Sequence, residues 1–178
     1  SEVEEVLRRI KELLDRNREE LKKVRERIKR LLDRNREKSE EVRERDKRLN
    51  DEIKKRLDED KDEKVLRKLK RLLEEVHKRT KEMADRSRED NKRILDEVED
   101  VARRSKEDNE RILKEAEEAG VEKRVLEEAR RLVKKSEEDN RRILKELREL
   151  VKESERENEE ILRELKKLNE DTKKRIED

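Results

Sequence analysis

The chain has 178 residues, 63% of them charged and 27% hydrophobic, and its 57 basic and 55 acidic side chains leave a formal net charge of +2. Because the two signs are interspersed, no extended field of one sign exists, which argues against nucleic acid or anionic lipid as a partner. With no Pro, Trp, Phe, Tyr or Cys and one Gly, the chain can form no disulfide and withholds nearly every helix breaker.

Such a composition alone suits disorder. The apolar residues nevertheless recur at steps of three and four, the spacing of one stripe on a helix. The pattern is clearest at Ser136, Asn140, Ile143, Leu144, Leu147, Leu150 and Val151, which restarts at Ser154, Asn158, Ile161, Leu162 and Leu165. The step is 18 residues. Five turns of 3.6 residues close on that number, so the stripe stays on one side of a straight helix, whereas a seven-residue repeat would force a supercoil.

The first predicted helix covers about residues 2–58, with Ser1 and Glu4 forming a capping box. Its inward positions include Val3, Val6, Ile10, Leu14, Asn17, Leu21, Val24, Ile28, Leu32, Asn35, Ser39, Val42, Asp46, Ile53 and Leu57. The string at Leu13–Glu19 returns at Leu31–Glu37, one repeat later. An all-charged stretch follows, and Asp60 with Glu63 reads as a second capping box opening a helix over about residues 61–119. That helix turns Val65, Leu69, Leu73, Val76, Thr80, Met83, Ser87, Asn91, Ile94, Val98, Val101, Ser105, Asn109, Ile112 and Ala116 inward, and Arg86–Glu97 is nearly repeated at Arg104–Glu115. Gly120 sits where a left-handed cap ends a helix. The third helix then covers about residues 122–178, with Val125, Ala129, Val133, Thr172 and Ile176 completing its stripe.

At about 100° per residue, the three stripes centre near roughly 270°, 80° and 300°. A continuous helix would hold one angle, so the chain must fold back at both breaks. The expected fold is all-α, one elongated and nearly untwisted up-down-up three-helix bundle spanning residues 1–178, a rod about 85 Å long. Folding about residue 61 and after Gly120 brings Asn17, Ser105 and Ser136 to one level. It brings Asn35, Ser87 and Ser154 to another, about 27 Å away. Asn109 and Asn140 flank the first level, and Asn91, Asn158 and Ser39 flank the second.

A buried amide or hydroxyl without a partner costs about 1–3 kcal/mol. Matched layers therefore specify register and topology, since a slip of one turn would set Asn and Ser against Leu. Asp46 falls opposite His77, with Asn50 and Asn169 about a turn away, so an Asp46–His77 pair is a third expected polar level; a surface position for His77 is the alternative.

Acidic pairs at i,i+3 and i,i+4 are matched by equally frequent basic ones and read as solvated ion-paired faces. Glu74 to His77 resembles half of a di-metal motif but lacks the second half and the interior carboxylates from other helices. There is no phosphate-binding Gly-rich loop and no His-Glu-x-x-His or Cys cluster. No catalytic, metal or cofactor residue is expected, and neither a membrane span nor a signal segment. The expectation is a soluble chain without a natural address, cytoplasmic if expressed in a cell.

The repeat, the turns and the aligned layers together resemble parametrically designed straight three-helix bundles with buried hydrogen-bond networks, over essentially the whole chain. The resemblance implies a structural scaffold with no biochemical activity, no cofactor and no required partner. The alternative is an interaction module, pairing through an open helical groove with a partner helix, a partner bundle or another copy. Natural spectrin-like rods are a weaker likeness, because their cores are normally rich in aromatic residues and this chain has none.

Overall fold

The computed structural model describes residues 2–178, with side chains from Glu4 onward. Helix α1 is Glu2–Glu59, α2 is Glu63–Glu118 and α3 is Lys123–Glu177, and no strand occurs among the described residues. The capping box expected at Ser1 and the inward placement of Val3 lie outside the described side chains.

The first turn differs from its expected form. Asp62, not Asp60, caps α2, because its carbonyl accepts the first helical bond, from Leu66 N at 3.0 Å. Asp60 instead closes a local turn, its Oδ1 accepting from Asp62 N at 3.0 Å. Short acidic side chains that bond the backbone two residues on make such a turn without glycine. The second turn does use glycine: Gly120 has φ 66°, a conformation that a Cβ would strain.

Residue contacts divide the chain into two compact units, Ser1–Arg30 with Arg93–Val151, and Leu31–Lys92 with Lys152–Asp178. In unit 1, Ile10 and Leu14 of α1, Ile112 and Ala116 of α2, and Ala129 and Val133 of α3 form a buried cluster. In unit 2 the corresponding cluster is Ile53, Leu57, Leu69, Leu73 and Ile176. Removing these stripes from water, at about 25 cal/mol per Å² of apolar area, is what stabilises a chain so highly charged.

Ion pairs record the directions of the helices within each unit. Arg18–Asp139 and Arg25–Glu146 in unit 1, and Arg36–Glu157 and Arg43–Glu164 in unit 2, all join residues 121 apart. A constant difference means that α1 and α3 run parallel. Between α2 and α3 the partner number falls as the other rises, from Glu99–Arg148 to Glu117–Arg130, so α2 runs against them.

Candidate functional site

The side chains that set this core apart are its amides, hydroxyls and one carboxyl. In unit 2, Ser39 Oγ donates to Asn158 Oδ1 at 2.9 Å, and Asn158 Nδ2 donates to Ser87 Oγ at 2.5 Å. Asn35 Nδ2 donates to Asn91 Oδ1 at 3.3 Å. In unit 1, Asn140 Nδ2 donates to Ser105 Oγ at 2.8 Å. Ser136 and Ser154 are buried at 7% exposure, yet neither bonds the residues with which it was expected to share a level.

The Asn and Ser bonds that join α2 to α1 or to α3 are shifted by one helical turn from the expected layers. Ser105 meets Asn140 rather than Ser136, Ser87 meets Asn158 rather than Ser154, and Asn35 meets Asn91 rather than Ser87. The cause is the tilt of the Cα–Cβ bond toward each helix's own N-terminus. In an antiparallel pair the two tilts oppose, so the tips that meet belong to residues C-terminal to their common height. Parallel helices tilt together. The α1–α3 bonds Ser39–Asn158 and Asn50–Asn169 accordingly join residues 119 apart, the offset that separates Asn17 from Ser136 and Asn35 from Ser154.

Asp46 has 0% exposure, but its partner is not His77, which is exposed. Thr80 lies one turn nearer the stripe's centre, and its Oγ1 bonds Asp46 Oδ2. Burial pushes the Asp46 carboxyl above the usual aspartate range, opposed first by the Thr80 hydroxyl and then by the charges of Arg45 and His77. Beside it, Asn50 is also at 0% exposure. Its Nδ2 donates to the Asp46 carbonyl at 2.8 Å and to Asn169 Oδ1 at 2.9 Å, while its Oδ1 accepts from Thr172 Oγ1 at 2.6 Å.

Around Asp46, Thr80, Thr172, Asn50 and Asn169 thus form one polar cluster; the sequence register places Asn50 and Asn169 near Asp46 but gives no part to Thr80 and Thr172. The repeat held the signal. Ile10, Ile28 and Asp46 share one slot, as do Leu14, Leu32 and Asn50, Val133, Val151 and Asn169, and Ser136, Ser154 and Thr172. In the first three of these slots the third copy puts a polar group where earlier copies hold hydrocarbon, and the fourth is polar throughout.

Not all amides are satisfied by the protein. Asn17 Nδ2, Asn91 Nδ2, Asn169 Nδ2 and both amide atoms of Asn109 are buried without a bond. Beyond this core, no group of three or more His, Cys, Asp or Glu able to hold a metal occurs among the described residues. Among the described residues, no helix is long and apolar enough to cross a membrane. No protein-family model and no curated protein matches the chain. A solved structure described as a computationally designed three helix bundle matches 99% of this chain and 86% of its own, at 19% identity and a TM-score of 0.51. At this identity the likeness speaks for the fold alone, and the fold is a three-helix bundle.

Proposed function

We propose that the protein is a designed structural scaffold without catalytic activity, in which buried Asn, Ser, Thr and Asp side chains specify helix register. The observation that supports this most directly is that the buried polar contacts between α1 and α3 recur at nearly one offset, 119 at Ser39–Asn158 and Asn50–Asn169 and 122 where Asn50 also accepts from Thr172. Hydrocarbon contacts would tolerate a slip of one turn far better than these directional bonds do. Each helix supplies residues to both units, which supports a chain that folds as one domain. Sedimentation equilibrium over a hundredfold range of concentration tests the scaffold reading. A constant monomer mass is expected, and a concentration-dependent dimer would overturn it.

A second reading, a module that accepts one more amphipathic helix, rests on the face between α1 and α2. In unit 1 a cleft of 460 Å³ is lined by Asn17, Leu21, Val24, Val101 and Ser105. In unit 2 a cleft of 330 Å³ is lined by Asn35, Ser39, Val42, Met83 and Ser87, the same slots one repeat away. Asn17 and Ser105 place polar side chains along the first cleft, where an Asn, Gln or Ser on an added helix would pair with them. Adding a synthetic peptide of residues 123–177 and measuring the mass again separates the readings: a 1:1 complex favours the module, and an unchanged monomer favours the scaffold.

A further inference from the structure

Thr80 has one hydroxyl proton and two neighbours that would each take it. Its Oγ1 bonds Asp46 Oδ2, and it also lies 2.9 Å from the Val76 carbonyl oxygen. A carbonyl never donates, so an ionised Asp46 would leave two acceptors competing for one proton. The conflict disappears if the carboxyl carries a proton of its own. Oδ2–H then donates to Thr80 Oγ1, and Thr80 O–H donates to Val76.

The surroundings agree. Asp46 Oδ1 is buried without a partner, a modest loss for the carbonyl oxygen of a neutral acid and a severe one for a carboxylate. On α1 the nearest cation is Arg45, whose Nε stands 3.9 Å from Oδ1 on a side chain 48% exposed. Arg43 and Lys47 are turned to Glu164 of α3. On α2, His77 is exposed and Arg79 pairs with Glu75. At the matching height α3 brings Leu165 and Asn169, both buried and neither charged. The equivalent slots one and two repeats earlier hold Ile28 at 0% and Ile10 at 4% exposure, so this position is built for an uncharged group.

We propose that Asp46 is kept as the neutral carboxylic acid in the folded chain and donates to Thr80, so that rising pH ionises a sealed group and loosens unit 2. The unfolded chain releases this proton near the ordinary aspartate value, about 3.9, while the folded chain retains it to a higher pH. Stability from this group is greatest in acid and is lost as pH rises through the folded value. Most proteins lose stability in the opposite direction.

Two measurements test the proposal. Followed by carbon NMR in the intact folded protein, the Asp46 side-chain carboxyl is expected to titrate with a midpoint above the aspartate range; a midpoint inside that range overturns it. In guanidinium unfolding, Asp46→Asn replaces the acid O–H with an amide N–H and cannot ionise. The denaturation midpoint of the wild type is expected to fall relative to that of the variant between pH 4 and 8. A difference that stays level, or moves in favour of the wild type, overturns the proposal, and the NMR titration stands whether or not the variant folds.

Discussion

In unit 2, Asn35 donates to Asn91, Ser39 donates to Asn158, and Asn158 donates to Ser87. The same slots one repeat away in unit 1 hold Asn17, Asn109, Leu21, Ser105 and Asn140. Of the corresponding contacts, only Asn140 to Ser105 forms there. Asn17 Nδ2 and the whole Asn109 amide go without a partner. Among these five slots the side chains differ in one place, where Leu21 stands for Ser39. Identical amides at identical spacing are therefore insufficient to give the same bonds.

The comparison fails first if the bonded and unbonded amides respond alike to removal. Asn50 in unit 2 spends both donor protons and accepts one bond. Asn50→Ala opens a cavity and leaves Asn169 Oδ1 without its donor, so it is expected to cost about 3 kcal/mol in guanidinium unfolding. Asn109→Leu in unit 1 is expected to act in the other direction. It replaces two unbonded buried polar atoms with hydrocarbon of similar volume and should stabilise by about 2 kcal/mol. A loss of stability at Asn109 would mean that its amide is well bonded, by water for example, and that the two units are equivalent.

Ser39 sharpens the contrast at smaller scale. The residue is 2% exposed and its bond to Asn158 has no counterpart at Leu21. Ser39→Ala is expected to cost about 1 kcal/mol. A double-mutant cycle with Asn158→Ala should return a coupling of about 0.5–1 kcal/mol, because the two residues share one bond. An additive cycle would reduce Ser39 to a space filler.

These residues also show how far the sequence could be read. Helix number, the two turns and the inward stripes follow from a period of 3.6 and from where the stripe changes phase, properties that one helix carries by itself. Which Asn meets which Ser depends on side-chain direction across two helices, and a Cα register cannot supply it. That is why Ser105 was assigned to Ser136 and bonds Asn140. Asp46 was legible as a polar residue in the slot of Ile28. Its partner Thr80 is among the inward positions, but the Cα register sets His77 opposite Asp46, and the carboxyl bonds Thr80 instead.

The smallest expected effect lies on the surface, where the two units should be hardest to tell apart. Arg148 holds Glu99 through two bonds of 2.6 and 2.8 Å in unit 1, and Arg88 bonds Glu159 at 2.7 Å in unit 2. The arginine hydrogen bond lowers the pKa of each glutamate. A lowered folded value means that the contribution is present above the unfolded pKa, about 4.3, and is lost as pH falls through the folded one. Both glutamates are more than two-fifths exposed, and solvent leaves such pairs only a few tenths of a kcal/mol. Glu99→Gln and Glu159→Gln should therefore each lower stability by less than about 0.5 kcal/mol in low salt at pH 7. The difference should vanish in 1 M salt, where the screening length is about 3 Å. A loss at either site that survives high salt would show that the pair sets helix spacing rather than decorating it, and would move the distinction between the units from their cores to their rims.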